Sequence, residues 1–376
     1  MRIPLSAPDI TEADIDAVVG VLRTSRLSLG PKLDELESHL AEYVGAPHAI
    51  AVSSGTAALH LCIRALGIGD GDEVIVPSFA FIAVANAVRY ERAIPIFVDV
   101  DPEMLNLDPE KIEAAITPRT KAILVVHTFG CPAELNKIIL IAQRHNLFVI
   151  EDSCEAIGAE YDGRKVGAQT DVGVFGFYPN KQITTGEGGA VVTHNSKIAK
   201  LVGTLRNQGR DDSAEWLQHT ELGYNYRISE MNSALGIEQL KRIEAILEKR
   251  ETIAKRYNSR LNANSDLKLP LLFAPRRRLS FFVYVVRLTS SFSRTHRDWI
   301  LKEMARRGIG CAKYFAPIHL QPIYSSSPSR FGLANTEFNA ARTIALPFFN
   351  RIEDEQIDEV CRTFNELIEQ VRDRAN

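Results

Sequence analysis

One lysine, Lys181, stands in a sequence context that is unusual for a solvated surface charge. It lies between two apolar segments, Val172 to Phe177 and Ala190 to Thr193, which are typical of short buried strands. Aromatic residues and glycines surround it, in Phe177-Tyr-Pro-Asn-Lys181-Gln-Ile-Thr-Thr-Gly-Glu-Gly-Gly189. A partly buried lysine amine can act as a nucleophile and form a Schiff base with a carbonyl group. An isolated loop lysine is more often an ordinary surface residue, so the interpretation depends on what else the chain supplies.

Two further segments supply partners for such a lysine. Ser53-Ser-Gly-Thr56 lies between a predicted strand and a predicted helix, and N–H groups at a helix start suit a phosphate. Asp152 follows Glu151 at the end of a predicted strand, where open α/β sheets bind their ligands. A carboxylate there would keep a pyridinium nitrogen protonated. Taken singly, the first segment is also a common turn and the second a common helix cap.

An aromatic residue and the histidines are further candidates for chemistry. Phe81 could stack on a cofactor ring, although core packing is the simpler interpretation. His127 ends a predicted strand, and we interpret it as a structural hydrogen-bonding residue. The nine histidines form no spaced ligand set, so no metal site is predicted.

These residues are set into a regular alternation of elements. Strands are predicted at 49–53, 73–77, 95–100, 122–127 and 147–152, with helices at 57–66, 81–88 and 135–144 and a helix start at Asp108-Pro109. Such alternation with short connections predicts a mostly parallel sheet covered by helices on both faces. After Thr193 the pattern changes to long helices over 230–261, a strand at 280–288, and helices at 296–307 and 353–372. We therefore predict an α/β large domain, residues 1–250, and a smaller C-terminal α+β domain, residues 251–376.

Composition excludes several classes of protein. The 376 residues carry a net charge of -3, which gives no electrostatic reason to expect nucleic acid or an anionic membrane as a partner. Five scattered cysteines without a CxxC pair argue against a disulfide framework. No apolar signal region opens the chain and no apolar run approaches the roughly 20 residues of a membrane helix. We expect a cytoplasmic protein.

The order of these motifs resembles the DegT/StrS-type sugar aminotransferases, which are enzymes of fold type I (the aspartate aminotransferase fold) that depend on pyridoxal 5'-phosphate (PLP). The shared order is Ser-Gly-Thr, an aromatic residue, Glu-Asp, Phe-Tyr-Pro-x-Lys, Gly-Glu-Gly-Gly and Gly-Tyr-Asn-Tyr-Arg. The similarity covers nearly the whole chain. Within the family, Asn180-Lys-Gln-Ile-Thr-Thr-Gly-Glu-Gly-Gly is most similar to the GDP-perosamine synthase type, which aminates C4 of a GDP-4-keto-6-deoxymannose.

The resemblance implies roles around the cofactor. Lys181 would carry PLP and move the reaction's proton, and Asp152 would pair with the pyridine nitrogen. Phe81 would stack on the ring, while Gly55 and Thr56 would hold the phosphate.

It also implies contacts with the substrate and a second subunit. Asn225 would reach the phosphate of the neighbouring subunit's cofactor, which implies a homodimer with shared active sites. Tyr314 and His319, together with Ser28 and Gly30, would border the nucleotide-sugar pocket.

Three positions depart from the family pattern. Gly176 stands where the family usually has a phosphate-binding serine, so one hydroxyl is missing from the phosphate site unless another group replaces it. Glu155 replaces a glutamine beside the cofactor's ring hydroxyl, and a carboxylate beside a phenolate is repulsive unless one of them is protonated. Ile157 replaces a common histidine.

The resemblance implies a transaminase with ping-pong kinetics. L-Glutamate would be the amino donor and a nucleotide-linked 4-keto-6-deoxy sugar the acceptor. Two alternatives stay open: amination of a different keto sugar or a cyclitol, and a PLP-binding regulatory protein without turnover. In related sugar dehydratases the lysine is replaced by histidine, so Lys181 argues against that class.

Overall fold

A seven-stranded sheet forms the centre of the molecule. The computed structural model describes residues 2–211, 218–325 and 331–375. In chain order the strands are β1 His48–Val52, β2 Glu73–Pro77, β3 Ile94–Val98, β4 Thr120–Val126, β5 Phe148–Asp152, β6 Glu160–Tyr161, β7 Arg164–Lys165, β8 Val172–Gly176, β9 Gly189–Thr193, β10 Leu267–Lys268, β11 Arg277–Arg278, β12 Tyr284–Leu288 and β13 Thr343–Leu346. The order in the central sheet is β1-β9-β8-β5-β4-β2-β3, and β9 is the strand that runs antiparallel to the rest. The predicted α/β fold with a mostly parallel sheet is confirmed.

Helices cover both faces of this sheet because the strands bury residues in both directions. The helices in chain order are α1 Glu12–Leu22, α2 Pro31–Val44, α3 Gly55–Ala65, α4 Ala83–Tyr90, α5 Leu135–His145, α6 Ser196–Arg206, α7 Glu230–Lys241, α8 Ile243–Leu261, α9 Arg294–Arg306, α10 Ala334–Ala340 and α11 Asp354–Ala375. Successive side chains of β2 pack in opposite cores: Val74 and Val76 pack in the core that contains α3 and α4, and Ile75 packs in the core that contains α5.

The C-terminal part of the chain has a core of its own. The strands β10, β12 and β13 form an antiparallel sheet, and side chains of α8, α9 and α11 pack with it in one apolar cluster. Helix α8 takes part in two cores, since Ile246 and Leu247 pack with β8 and β9 whereas Ile253 and Tyr257 pack with the C-terminal cluster. The predicted domain boundary at residue 250 falls inside this helix, and it stays a prediction.

Two sequence predictions differ from the structure. Asp108-Pro109 opens two short 3₁₀ turns, Pro109–Lys111 and Glu113–Ala115, instead of an α-helix, and the Asp108 carboxylate accepts the Glu110 N–H at 3.1 Å. The strand predicted from residue 280 begins at Tyr284. The Ser280 N–H instead donates to the carbonyl of Gly130, so this segment is tied to the loop after β4. The chain therefore makes a detour over residues 280–283 before β12 begins.

Within the described ranges, no helix is both long enough and apolar enough to cross a membrane.

Candidate active site

The loop that carries Lys181 is closed at its base by hydrogen bonds just beyond the end of β8 and before the start of β9. The Phe177 N–H donates to the Gly188 carbonyl at 2.9 Å, and the Thr185 N–H donates to the Phe177 carbonyl at 3.0 Å. The Thr184 hydroxyl donates to the same carbonyl at 2.9 Å. The closed loop holds Lys181 inward, with its side chain only 15% exposed.

The Lys181 amine lies between a carboxylate and an aromatic ring. Its Nζ is 3.8 Å from Oε1 of Glu155 and 4.0 Å from the ring centroid of Phe282. Glu155 follows β5, whereas Phe282 comes from the segment that precedes β12. Both halves of the chain therefore contribute to the surroundings of the lysine.

Glu155 is held in place from its other side. Its Oε2 accepts the Phe129 N–H at 2.9 Å. Burial raises the pKa of the Glu155 carboxyl, and the nearby Lys181 amine opposes that rise. Burial, with Glu155 as a further cause, also raises the pKa of Tyr314 to about 12. The departure from the family's glutamine thus places a titratable group beside the lysine.

Asp152 is the last residue of β5 and is 8% exposed. It pairs in register with Val126 of β4 on one side and Val174 of β8 on the other. One of its carboxylate oxygens accepts the Cys154 N–H at 3.0 Å. The carboxylate is therefore positioned at the carboxyl end of the central parallel strands, where the sequence predicts a ligand-binding residue.

The start of α3 is pressed against this end of the sheet. Ser54 caps the helix by accepting the Ala57 N–H at 3.1 Å. A Cβ built on Gly55 would lie 2.9 Å from Sγ of Cys154 and 3.3 Å from Cα of Gly176. A Cβ on Gly189 would lie 2.5 Å from the carbonyl carbon of Ser54. Glycine at these positions lets the helix start approach β8 and β9.

The other predicted cofactor residues lie at the surface of the chain. Phe81, between β2 and α4, exposes 62% of its surface. Asn225 is also exposed, in a segment that forms a β-bridge with Asn207. In the single chain, the large apolar ring of Phe81 faces solvent rather than the core.

The predicted substrate residues fall into three places. Tyr314 is next to the lysine loop, since its hydroxyl accepts a long 3.5 Å hydrogen bond from the Asn180 amide. His319 docks at the end of β2, where its Nδ1 is 2.6 Å from the Ser78 hydroxyl. Ser28 and Gly30 contact the start of α7 instead: Ser28 bridges Ser229, and the Gly30 N–H donates to the Glu230 carboxylate at 3.0 Å.

His127 has the structural role predicted for it. Its Nε2 lies 3.1 Å from a Glu151 carboxylate oxygen, and its Nδ1 accepts the Ala133 N–H at 3.1 Å. Both ring nitrogens are thereby used within the fold. In residues 2–211, 218–325 and 331–375, no group of three or more His, Cys, Asp or Glu side chains could hold a metal ion.

The sequence missed three residues of this site. Phe282 faces the Lys181 amine, and the Gln182 amide donates to the carbonyls of Glu155 at 2.7 Å and Ser280 at 2.9 Å. Cys154 fills the space between Gly55 and Gly176. No spacing or motif indicates Phe282. By contrast, the position of Gln182 directly after the lysine could have identified it.

The site fits PLP on structural grounds. The Lys181 amine is mostly buried, and its nearest carboxylate is beyond hydrogen-bond distance. Oδ1 of the adjacent Asn180 is buried without a hydrogen-bond partner, as expected of a site that awaits a polar ligand. The helix start at Gly55 and Thr56 offers N–H groups to an anion.

Comparison with known proteins finds relatives over nearly the whole chain. The model of the DegT/DnrJ/EryC1/StrS aminotransferase family matches residues 8–365. GDP-perosamine synthase of Caulobacter vibrioides is 38% identical over 373 residues, covering 98% of each chain. The structure of Helicobacter pylori PseC, an aminotransferase involved in the biosynthesis of pseudoaminic acid, matches with a TM-score of 0.94 at 28% identity, over 98% of this chain and all of PseC. The PMP form of Streptococcus pneumoniae Spr1654 matches with a TM-score of 0.95 at 28% identity over the full length of both chains, and that protein has also been solved in a PLP form.

The matches span the large sheet, the Lys181 loop and the C-terminal part alike, so they confirm both the resemblance and the cofactor. The chain therefore belongs to the DegT/DnrJ/EryC1/StrS aminotransferase family and is a PLP-dependent sugar aminotransferase.

Proposed function

We propose that this enzyme transfers the amino group of L-glutamate to C4 of a nucleotide-linked 4-keto-6-deoxy sugar, as in perosamine formation. The observation that carries the proposal is the 38% identity to a GDP-perosamine synthase over 98% of both chains. An intact Lys181 loop supports turnover, since the amine is held inward beside Glu155 and Phe282. The cytoplasmic location stays a prediction from the sequence.

The residues would divide the work as follows. PLP, when bound, supplies a carbonyl that exchanges with amines and a ring that withdraws electrons. Lys181 would hold the cofactor and then, with its amine free, move a proton to or from the reacting carbon. Asp152, fixed at the end of β5, would keep the ring nitrogen protonated. Gly55 and Thr56 would bind the phosphate through the start of α3.

Side chains at the rim would position the ring and the acceptor. Phe81, exposed in the single chain, would stack on the cofactor ring. Glu155 would lie at the ring hydroxyl, and burial raises the pKa of its carboxyl there. Tyr314 and His319 would border the sugar nucleotide. Asn180 would lie on the same side of the site, because its amide donates a hydrogen bond to the Tyr314 hydroxyl.

The active unit would be a homodimer. Asn225 is exposed in its own chain, which is the arrangement expected of a side chain that completes a second copy's phosphate site. Ser28 and Gly30 would line the sugar-nucleotide pocket from the N-terminal segment, with Gly30 anchored by its N–H bond to Glu230.

The first half reaction can be tested without knowing the acceptor. The PLP-loaded protein is mixed with L-glutamate, and the loss of the PLP absorbance band and the release of 2-oxoglutarate are both followed. We expect about one equivalent of 2-oxoglutarate per chain, and none from Lys181→Ala. Lys302→Ala, which changes an exposed lysine of α9, is the matched control. Full transamination by Lys181→Ala would overturn the scheme.

The second half reaction identifies the acceptor. The protein converted by glutamate is offered GDP-4-keto-6-deoxymannose and then the UDP- and dTDP-linked 4-keto-6-deoxy sugars. We expect the GDP sugar to restore the PLP band fastest, with an amino sugar as product. Restoration only by another keto sugar or a cyclitol would replace the proposed acceptor while leaving the transaminase assignment intact.

A further inference from the structure

The segment that carries Asn225 is held beside the end of α6 by backbone hydrogen bonds and an isolated β-bridge to Asn207. The Tyr224 N–H donates to the Leu205 carbonyl at 2.6 Å, and the Tyr226 N–H donates to the Arg206 carbonyl at 3.0 Å. Neighbouring side chains of an extended segment point to opposite faces. The rings of Tyr224 and Tyr226 accordingly stack on one face, 4.9 Å apart and 10° from parallel, and Asn225 between them is exposed.

A buried histidine of α3 holds the tyrosine face. His60 is 5% exposed, and its Nδ1 lies 3.1 Å from the Tyr226 hydroxyl. Its Nε2 lies 2.8 Å from a Glu91 carboxylate oxygen, to which the Tyr224 hydroxyl also donates at 3.0 Å. Because the carboxylate only accepts, Nε2 carries the hydrogen, and in the neutral imidazole Nδ1 then accepts from the Tyr226 hydroxyl.

Burying these polar groups would be unfavourable if their only role were to fill space in the core. The neighbouring α3 residues Leu59, Leu61, Cys62 and Ile63 are buried and apolar, so an apolar side chain would fill the position of His60 without polar groups to satisfy. Burial and the bond to Glu91 raise the pKa of Tyr224 to about 12, so the phenol keeps the hydrogen that it donates. Every polar atom of the network thus has a defined partner and a defined direction.

We propose that His60 and Glu91 are positioning residues that act in trans: by fixing Tyr224 and Tyr226, they present Asn225 to the cofactor phosphate of a second copy of this chain. The inference rests on the proposed shared-site homodimer. Since α3 begins at Gly55, the same helix would bind one cofactor phosphate at its start and order, through His60, the segment that reaches the other.

Mixed dimers can distinguish the positioning of Asn225 for a second chain from a contribution of His60 to the stability of its own chain. One chain carries Lys181→Ala, so only the other chain can link PLP covalently. Two differently tagged chains are co-expressed and the mixed dimer is purified. It is then titrated with PLP, reduced with borohydride, and the labelled chains are counted by mass spectrometry. The readout is PLP affinity at a single Lys181 and does not depend on turnover.

His60→Leu can be placed on either chain of the mixed dimer, and we expect a different result for each placement. With His60→Leu on the chain that keeps Lys181, Asn225 comes from an unaltered partner, and we expect PLP affinity as in the wild type. With His60→Leu on the Lys181→Ala chain, Asn225 comes from the altered chain, and we expect affinity to fall about tenfold, as for a weakened hydrogen bond to a charged group. Tyr226→Phe, which removes one hydroxyl and keeps the ring, is the milder variant should His60→Leu fold poorly.

A loss that follows the Lys181-bearing chain, a loss that is equal in both arrangements, or no loss in either would overturn the inference. Asn225→Ala in the same two arrangements is the control for the proposed function itself. If Asn225→Ala shows no dependence on the partner chain, the shared-site dimer fails. If Asn225→Ala acts in trans and the His60 and Tyr226 variants do not, only the positioning role fails.

Discussion

Gly176 and Cys154 occupy one small space, and restoring the family's serine at residue 176 should therefore damage this protein. A Cβ built on Gly176 would lie 3.1 Å from Sγ of Cys154 and 3.3 Å from its Cβ. Non-bonded carbon contacts are optimal at about 3.5–4.0 Å, so the introduced side chain overlaps the cysteine. The missing phosphate hydroxyl is thus linked to the size of residue 154.

The magnitude follows from packing. Overpacking of this kind costs about 1–3 kcal/mol, so Gly176→Ser should lower the free energy of unfolding by that amount. Cys154→Ala deletes one buried heavy atom, which costs roughly 0.5–1.5 kcal/mol, as Ile→Val does. In the double variant the serine enters the space that the sulfur vacated. The two effects should therefore not add, and we expect a coupling of about 1–2 kcal/mol in favour of the pair.

Thermal unfolding of the cofactor-free proteins measures this coupling. One kcal/mol shifts the midpoint by about 2–4 °C for a domain of 150–250 residues, so differences between the four proteins are resolvable. A PLP titration of the same four proteins provides the second readout. Cys154→Ala/Gly176→Ser should bind PLP about tenfold more tightly than Cys154→Ala, because the hydroxyl adds a hydrogen bond to the phosphate.

Strictly additive midpoints would refute the reasoning, because they would mean that the two side chains do not share space. Coupled midpoints without any gain in PLP affinity would leave the packing argument standing and would refute the placement of the phosphate beside Gly176. Cys361→Ala, at a buried cysteine of the C-terminal core, is the matched control and should show no coupling to Gly176→Ser.

Three further changes test other parts of the site. Burial raises the pKa of Glu155 above its ordinary 4.5, so the contribution of this carboxyl to the stability of the fold is full below about pH 4.5 and is lost as the pH rises through the raised value. Calorimetry of the cofactor-free proteins should therefore give Glu155→Gln a higher melting temperature than the wild type at pH 8 and the same melting temperature at pH 4.5. Arg250→Met should lower the free energy of unfolding, measured with denaturant, by roughly 3 kcal/mol or more, because the buried guanidinium donates to the carbonyls of Phe281 and Phe282. A smaller loss of stability in Arg250→Met than in Arg250→Lys would contradict this. Glu230→Gln should lower the free energy of unfolding by about 1–2 kcal/mol in the same assay, because the carboxylate accepts three N–H groups at the start of α2 through both of its oxygens. Unchanged stability would show that water replaces the lost acceptor.

Local sequence was sufficient to predict the strands of the central sheet and the two residues Asp152 and Lys181 of the site. Apolar runs in β2 and β5 predict buried strands, and the ends of parallel strands meet at one edge of a sheet, which places Asp152 there. Lys181 was identifiable because its loop combines glycines and aromatic residues between two strands. His127 was correctly predicted as structural, since a histidine within an apolar strand end needs partners from the backbone and from a buried carboxylate.

Tertiary structure decided which side chains surround the lysine. Gln182 bonds to Ser280, 98 positions away, and this contact belongs to the detour that delays the start of β12 and brings Phe282 over the lysine. Cys154 in the space between Gly55 and Gly176, and His60 behind Tyr226, are contacts between elements far apart in the chain. Periodicity reports which face of an element is buried. It does not report the partner, because long-range packing depends on the shapes of two surfaces that only the folded chain brings together.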